Sequence, residues 1–350
     1  MNSMQRWTKR PPNSNWGDFG PDDQRGRMNL VTREKVLQGI AEVKQGITFC
    51  LSLPLDYPGG NVLNPRRSAP RLAATSREGR QFFCRPLDEY NGSLTDVICD
   101  DQVLMALQYS TQIDSFAHVG SRFDADGDGN TELVFYNGFR AGEHVVPAPD
   151  KNSQSWDRFE GTEARALGIQ NMAEHGAQGR GVLIDLHHHF QRQRKAIGYE
   201  DLMRVLEKDK VAVEKGDMVC LYTGFADVLL EMKKKPDPKL VNETCTGLDG
   251  RDAKMLQWIS DAGLACLLAD NYAVELIATG LTDPLPRKQP WLPLHEHCLF
   301  KNGIHLGEMY YLTELARWLR AHGRSRFLLT TPPLRLPGAV GSPATPIATV

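Results

Sequence analysis

The most informative stretch of this chain reads LQYSTQIDSFAH and occupies residues 107–118. Polar residues recur at every second position through its first half, which predicts a β-strand with one polar face. An antiparallel strand often turns such a face to water. The alternative interpretation is a row of oxygen donors aimed at a metal ion, with His118 just beyond it as a ligand or proton shuttle. The residues expected on the polar face are Gln108, Ser110, Gln112 and Asp114.

A second polar cluster lies near the C-terminal end of the chain, in the sequences LHEHC at 294–298 and GIHLGE at 303–308. An imidazole and a carboxylate are both good ligands for a divalent cation. An isolated histidine is more often an ordinary surface or core residue, but here the histidines accompany the polar strand. The two stretches together predict one metal site built from distant parts of the chain.

Regular elements are expected around these two stretches. Apolar residues at helical spacing through Val36–Val43 predict a helix that Thr32 caps, and period-two alternation predicts a strand at Ile47–Leu55. The best helical periodicity covers Met309–Leu319, and the tail from Pro332 onward is expected to be extended. Strands mixed with helices indicate an α/β or α+β fold. Short apolar runs predict buried strands at Val182–Leu186, Met218–Tyr222, Leu264–Leu268 and Arg326–Thr330.

The composition argues against nucleic acids and membranes as binding partners. Of 350 residues, 41 are basic and 43 acidic, and there is no basic patch with interleaved aromatic residues, so nucleic acid is not an expected partner. No uninterrupted apolar run is long enough to span a bilayer, so a membrane is not expected either. The seven cysteines are odd in number, widely spaced and without a Cys-x-x-Cys pair, which argues against a disulfide framework. We therefore expect a cytoplasmic protein that acts on a small molecule.

The run Gln108–His118 resembles the motif His-x-Gly-Thr-His-x-Asp-x-Pro-x-His of the cyclase family, which includes bacterial kynurenine formamidase and isatin hydrolase. This resemblance implies a mixed α/β fold, the swivelling β/β/α domain of that family. It also implies one domain over residues 1–350, with an N-terminal arm and helix at 1–46, a catalytic core at 47–330 and an extended tail at 331–350. Other stretches that resemble family landmarks are Asn15–Thr32, Gly179–Asp185, Gly216-Asp217, Thr223-Gly224, Ala269–Asn271, His295 with Glu308, and Pro333–Pro343.

The resemblance assigns roles within the motif. The family's two metal-binding histidines fall on Gln108 and Gln112, and its aspartate falls on Asp114. Its final histidine, a ligand or catalytic base, falls on His118. This chain departs from the motif at both first positions, and it has Ser110 for the glycine and Phe116 for the proline.

The late histidine and glutamate of the family fall on His295 and Glu308, although His297 competes with His295 in the alignment. A glutamine offers a neutral amide oxygen in place of an imidazole nitrogen, so weaker metal binding is expected. We therefore expect one divalent ion held by His295, Glu308 and one or both of Gln108 and Gln112. Zn²⁺ is the first candidate and Mn²⁺ the second.

The resemblance implies a metal-dependent hydrolase that cleaves an amide, ester or lactone carbonyl, with Asp114 or His118 as general base. Because it has Gln108 and Gln112 in place of histidines, this chain is expected to belong to a branch of the family that resembles trans-dienelactone hydrolase. The alternative is a metal-free, non-catalytic binding protein on the same fold. Family members commonly form homodimers or homotetramers, which is the assembly expected here. Aromatic loop residues expected to bind substrate are Trp16, Phe19 and Tyr136.

The acidic sequence DADGDG at 124–129 resembles the start of a calcium-binding loop. The twelfth position of such a loop requires glutamate, and here it is Phe135. Acidic turns of this kind are common without an ion, so a calcium-stabilised protein is the weakest of the three hypotheses.

Overall fold

The predicted buried strands form the centre of one mixed β-sheet in the computed structural model, which describes residues 5–148, 161–277 and 288–350. Within these ranges the sheet has nine strands, in the order β1-β9-β7-β3-β4-β5-β6-β2-β8. Strands β3 to β6 are parallel, and the other pairs are antiparallel. The strands are β1 Thr48–Cys50, β2 Gln112–Asp114, β3 Gln178–Asp185, β4 Met218–Tyr222, β5 Cys266–Ala269, β6 His305–Glu308, β7 Arg326–Thr330, β8 Gly341–Pro343 and β9 Ile347–Thr349.

Helices cover both faces of this sheet. The α-helices are α1 Arg33–Ala41, α2 Gln170–His175, α3 Leu186–Phe190, α4 Tyr199–Asp209, α5 Phe225–Glu231, α6 Pro238–Glu243, α7 Ala253–Asp261, α8 Pro293–His295 and α9 Thr313–Ala321. A π-helix, Glu296–Lys301, follows α8, and short 3₁₀ turns lie at Gly26–Leu30, Leu87–Glu89 and Tyr136–Gly138. Even the longest of these helices, α4 with 11 residues, is too short to cross a bilayer, and none in the described ranges is long and apolar enough to do so.

Six small two-stranded ribbons lie outside the main sheet among the described residues. They pair Arg71–Ala74 with Asp101–Leu104, Ser76–Arg77 with Arg80–Gln81, Arg85–Pro86 with Val97–Ile98, Ser121–Phe123 with Glu132–Val134, Val145–Val146 with Glu163–Ala164, and Lys195–Ile197 with Thr246–Leu248.

The core has two apolar layers because successive residues of a buried strand point to opposite faces. On β3, Ile184 packs in the layer that contains Leu202 of α4 and Ile259 of α7. Its neighbour Leu183 packs in the opposite layer with Leu315 of α9. The continuous apolar character of β4 and β5, which the sequence shows, is what burial on both faces requires.

Buried carboxylates explain two of the sequence landmarks. Asp270, which follows β5, accepts hydrogen bonds from Thr223 N and Oγ1 and from Gly224 N, each at 2.7 Å. Asp217, before β4, accepts from Arg180 Nε at 2.8 Å and from Lys35 Nζ at 3.1 Å. Asp270 joins the end of β5 to the loop after β4, and Asp217 joins the start of β4 to β3 and α1, so each carboxylate links elements that are apart in sequence.

The prediction of a continuous strand over Gln108–His118 is wrong. Only Gln112–Asp114 pairs with neighbouring strands, because its partners β6 and β8 are themselves short. Ser110 lies in the loop before β2 and donates to Pro54 O at 3.3 Å. His118 lies in a turn after β2, where its N–H donates to Ser115 O at 3.0 Å. The residues of the motif therefore approach the site from a loop, a short strand and a turn.

The helix capped by Thr32 is confirmed, but its buried side differs from the expected one. Lys35 N donates to Thr32 Oγ1, and Leu37 and Ile40 are 55 % and 49 % exposed. The buried residues of this helix are Lys35 and Gly39, and a Cβ on Gly39 would lie 2.7 Å from the carbonyl of Gly179. Glycine at position 39 lets the backbone of α1 approach the backbone of β3 closely. In this orientation the apolar side chains of Leu37 and Ile40 point away from the sheet.

The C-terminal tail and the described part of the N-terminal arm pack on the core. Residues 331–350 supply β8 and β9, so this tail is extended and belongs to the sheet. On the N-terminal arm, Trp16 Nε1 donates to Phe300 O at 2.8 Å. The helix expected over Met309–Leu319 begins only at Thr313, because Met309 N donates instead to Asn271 O.

Candidate metal centre

Three polar side chains share one face of the sheet where β2 and β6 pair. Gln112 lies opposite Glu308, and Asp114 lies opposite Leu306. Residues two apart on a strand share a face, so Gln112, Asp114 and Glu308 project to the same side. All three are buried, with at most 3 % of the residue exposed. They lie on the side of the sheet that α4 and α7 cover, since Leu306 belongs to that apolar layer.

His295 completes the cluster from the end of α8. Its Nε2 lies 3.3 Å from Glu308 Oε1, and its residue is 2 % exposed. One ligand-type atom from each of Asp114, His295 and Glu308 lies within 4.8 Å of the others. Gln112 Nε2 donates to Glu308 Oε2 at 3.1 Å, which brings its amide to the same place. The π-helix that follows His295 is a rare geometry often found at functional sites.

The unsatisfied atoms of this cluster fit a divalent cation. Both carboxylate oxygens of Asp114 and the Oε1 of Gln112 are buried without a hydrogen-bond partner. A buried carboxylate without a donor or counter-charge is strongly unfavourable. Oxygen atoms of carboxylates and amides, together with an imidazole nitrogen, are ligands that Zn²⁺ and Mn²⁺ accept. A bound metal ion would therefore give these buried oxygens the partner that the surrounding side chains do not provide.

The electrostatics of the cluster indicate the same need for positive charge. Burial and the charge of Glu308 raise the pKa of Asp114 to about 8. Burial alone would lower the pKa of His295, but its hydrogen bonds to Glu275 and Glu308 and their charges raise it to about 10. Burial would raise the pKa of Glu308, and His295 lowers it instead. A divalent cation would add positive charge beside Asp114 and Glu308, whose positive neighbours are otherwise His295 and Arg67.

Glu275 holds His295 in place. Its Oε1 accepts from His295 N at 3.1 Å and lies 2.8 Å from His295 Nδ1, and its Oε2 accepts from Leu294 N at 3.1 Å. This contact keeps a proton on Nδ1, so Nε2, which faces Glu308, is the nitrogen that would give up its proton to bind a metal ion. Carboxylates commonly orient metal-binding histidines in this way. Sequence analysis missed Glu275, because it lies 20 residues from its partner with no pattern that joins them.

Replacing Glu275 with glutamine is expected to weaken metal binding about 10- to 100-fold. The amide NH₂ of the new side chain would face either His295 or a backbone N–H, so one donor would meet another donor. The measurement is the dissociation constant of Zn²⁺ and Mn²⁺ by titration. Glu296→Gln is the matched control, because Glu296 pairs with Ser121 and Lys301 and does not touch the cluster. Equal affinities of the two variants would contradict the role given to Glu275.

His118 lies at the edge of the cluster. Its Nε2 is 3.9 Å from Asp114 Oδ1, and its side chain is 22 % exposed, more than those of the other members. Burial and the charge of His295 lower the pKa of His118 to about 4. A neutral imidazole that reaches both the cluster and the solvent side can accept a proton.

Two further candidate ligands from the sequence, Gln108 and His297, lie in different surroundings. Gln108 lies in the loop before β2 with its Nε2 buried against β8, where a Cβ on Gly341 would lie 2.5 Å from that nitrogen. Its role as a ligand stays a prediction. His297 points elsewhere, with its Nε2 2.9 Å from Ser260 Oγ and 3.3 Å from Asn302 Nδ2. Of the two competing histidines, His295 is therefore the one in the cluster.

The aromatic residues predicted to bind substrate lie mostly in the core. Trp16 is 1 % exposed and packs edge-on against Phe300, with ring centroids 5.2 Å apart. Tyr136 is fully buried and packs against Phe116, while Phe19 is half-buried. Tyr136 packs through Phe116 on the turn that follows β2, whereas Trp16 packs against Phe123 and Phe300. Contact with substrate stays a prediction for all three.

Two residues near the cluster were not singled out from the sequence. Arg67 Nη1 donates to Gln108 O at 2.6 Å, and its charge contributes to lowering the pKa of Glu308. Burial and the charge of Glu308 raise the pKa of Tyr272. Both residues lie in segments without helical or strand periodicity, so nothing local predicts their position.

The acidic loop is separate from this cluster. Oxygens of Asp124, Asp126 and Asp128 lie close together. Lys9 Nζ is 2.7 Å from Asp124 Oδ2, and these carboxylates accept hydrogen bonds from N–H groups of their own turn. Such contacts are those of an ordinary acidic turn.

The fold recurs in solved structures. A structure described as a novel cyclase has 28 % sequence identity and a TM-score of 0.72, and the match covers 98 % of this chain and 100 % of that one. Isatin hydrolase A from Labrenzia aggregata, bound to benzyl benzoate, has 14 % identity and a TM-score of 0.52, covering 90 % of this chain and 97 % of that one. Isatin hydrolase A from Ralstonia solanacearum has 13 % identity and a TM-score of 0.52, covering 91 % and 97 %. Among curated proteins, none matches this chain. The model of the Cyclase family matches residues 41–276, more than half of the chain, and the protein therefore belongs to the cyclase family.

Proposed function

We propose that this protein is a metal-dependent hydrolase that adds water to the amide, ester or lactone carbonyl of a small molecule. The observation that carries the proposal is the convergence of Asp114, His295 and Glu308 within 4.8 Å, together with the unpartnered oxygens of Asp114 and Gln112. Membership of the cyclase family supports it. So does the fold shared with two proteins named as isatin hydrolases.

The residues that would hold the ion are Asp114, His295 and Glu308, with the carbonyl oxygen of Gln112 beside them. A divalent ion in such a site supplies Lewis acidity, which lowers the pKa of water and polarises a carbonyl group. Three of the four side chains offer oxygen, and oxygen-rich sets suit Mn²⁺ more than sulfur- or nitrogen-rich ones do. Mn²⁺ therefore stays a candidate beside Zn²⁺.

The protein's own residues transfer the proton, orient the histidine ligand and exclude bulk water. His118, neutral at pH 7, accepts the proton that water loses during attack on the carbonyl. Glu275 keeps the His295 ring in one orientation. The apolar layer around Leu306 limits access of bulk water and strengthens the local electrostatic interactions.

Elemental analysis combined with a hydrolysis assay tests this function. We expect about one equivalent of Zn²⁺ or Mn²⁺, and hydrolysis of a formamide, lactone or isatin-type ring that a chelator abolishes and the metal restores. The variant His118→Asn is expected to retain the metal and to lose about 10²- to 10⁴-fold in kcat. A purified protein without a divalent ion, unchanged by added Zn²⁺ or Mn²⁺, would show that the proposal is wrong.

One observation favours a metal-free binding protein as the second candidate. Gln112 Nε2 already donates to Glu308, and His295 lies between two carboxylates, so part of the cluster is hydrogen-bonded internally. The unpartnered oxygens of Asp114 are what this alternative leaves unexplained. The same elemental analysis separates the two candidates.

A further inference from the structure

Residues 71–104 form a surface arm built from three small two-stranded ribbons. No residue of this arm is buried, and Leu72, Phe83 and Val97 are 73 %, 55 % and 63 % exposed. A two-stranded ribbon without an apolar face packed on a core has marginal stability in water. Small units that cannot build a core are commonly stabilised by disulfide bonds. The arm lacks the packing that usually holds strands together, and a covalent link between its strands would replace that packing.

Two cysteines lie opposite each other across the arm. Hydrogen-bonded pairs on either side leave Phe83 and Cys84 of one strand facing Cys99 of the other, a two-to-one arrangement known as a β-bulge. The Sγ atoms of Cys84 and Cys99 are 3.8 Å apart, and Cys84 N donates to Cys99 Sγ at 3.1 Å. A disulfide bond requires about 2 Å between the two sulfurs, a change that rotation of two exposed side chains can supply.

The backbone of Cys84 has an uncommon conformation. Its φ angle of 53° lies in the left-handed region, which is unfavourable for a residue with a Cβ. Such strain persists where the surrounding structure enforces it. No buried residue of the arm packs around Cys84, so a bond to Cys99 would supply the constraint that holds the bulge in this conformation.

Both thiols are accessible to an oxidant. Cys84 and Cys99 are exposed, and so is Cys50, whose sulfur lies 3.4 Å from Ser52 Oγ. A thiol must be reached by its oxidant in order to react. The four remaining cysteines are buried: Cys220, Cys245, Cys266 and Cys298. The exposed thiols that contact each other are therefore those of the arm.

We propose that Cys84 and Cys99 form a reversible disulfide that closes the arm, by exchange with a low-molecular-weight disulfide such as oxidised glutathione. One cysteine, as the thiolate, attacks a sulfur of the oxidant and displaces one thiolate from it. The second cysteine then loses its proton, attacks the protein sulfur of the mixed disulfide and displaces the other thiolate. The protein gives up two electrons and two protons, and the oxidant is reduced to two thiols.

The contact between the two sulfurs also affects how the pair ionises. The hydrogen bond to Cys99 and the charge of its thiolate raise the pKa of Cys84. A charge on Cys99 therefore disfavours a second charge on Cys84, and the pair presents one thiolate beside one thiol. This is the combination that the exchange uses, since one sulfur attacks first and the other attacks second. The inference is independent of the proposed hydrolase function.

Peptide mapping by mass spectrometry tests this bond. The full-length chain is reduced, exposed to oxidised glutathione, treated to block free thiols, and digested after acidic residues such as Glu89 and Asp96, which lie between the two cysteines. We expect cross-linked peptides that contain Cys84 and Cys99 and that together lack two hydrogen atoms. Separate glutathione adducts on the two cysteines, a bond between two chains, or a bond to Cys50 would overturn the proposal.

The variant Cys84→Ser separates pairing from simple thiol reactivity. It should stop at a glutathione adduct on Cys99, because no second thiol is present to displace glutathione from the protein. Cys50→Ser is the matched control, since Cys50 is also exposed but lies outside the arm. This control should close the bond as the wild-type chain does. A stable adduct on Cys99 in the control would contradict the pairing.

Urea distinguishes a contact made by the fold from chance proximity along the chain. Equilibration in glutathione buffers of varied ratio gives the constant for bond formation in the native and in the urea-unfolded chain. The constant should be at least about tenfold larger in the native chain, because the fold holds the two sulfurs together, whereas the unfolded chain loses entropy on closing the intervening loop. Equal constants in the two states would mean that the fold does not prepare this bond, and the proposal would be wrong.

Discussion

Replacing His295 with alanine is expected to abolish metal binding and to reduce hydrolysis about 1000-fold or more, which corresponds to about 4 kcal/mol of activation free energy. His295 supplies the imidazole nitrogen of the cluster, and its Nε2 lies 3.3 Å from Glu308 Oε1. Without it, Asp114 and Glu308 would face each other as two buried carboxylates. Metal content by elemental analysis and kcat/KM at saturating metal are the measurements.

His297→Gln is the matched control for this variant. His297 lies two residues further along and is also buried, but its ring contacts Ser260 and Asn302. The control should keep about one equivalent of metal and most of the activity, whatever its effect on stability. Similar metal loss in both variants would mean that folding of the α8 region, and not ligation, explains the result.

Replacing Asp217 with alanine is expected to lower the free energy of unfolding by about 3–5 kcal/mol. Asp217 is fully buried and accepts from Arg180 Nε at 2.8 Å, Arg180 Nη2 at 3.0 Å, Lys35 Nζ at 3.1 Å and Glu214 N at 2.7 Å. Arg180 and Lys35 are themselves only 4 % and 6 % exposed. Removing the carboxylate leaves two buried positive charges without their main partner, which is far more costly than losing a surface ion pair.

Urea denaturation measures this effect, with Glu214→Ala as the control. Glu214 pairs with the same Arg180, but its side chain is 48 % exposed, so its removal should cost less than about 1 kcal/mol. If the two variants lose equal stability, the buried carboxylate does not have the structural role that its contacts indicate.

The sequence predicted the elements whose signal is local. The runs Met218–Tyr222 and Arg326–Thr330 are strands with the predicted bounds, because an apolar run flanked by turn residues must be buried. The family was also identified correctly, since its landmarks recur in order along the chain. The strand over Gln108–His118 was overestimated, because alternation shows which residues suit a strand but not how far the partner strands extend.

The polar stretch at 107–118 shows what the sequence determined by itself and what only the tertiary structure decided. By itself the sequence determined that Gln112 and Asp114 share a face and that His118 follows them, since strand geometry fixes that spacing. Only the tertiary structure decided which distant residues meet them: His295 and not His297, and Glu275 behind it. The same holds for Thr246 and Asn271, which meet through an amide contact across 25 residues. The physical reason is that periodicity records which face of an element is buried, whereas the partner of a buried polar group is chosen by packing between elements, which leaves no regular spacing in the sequence.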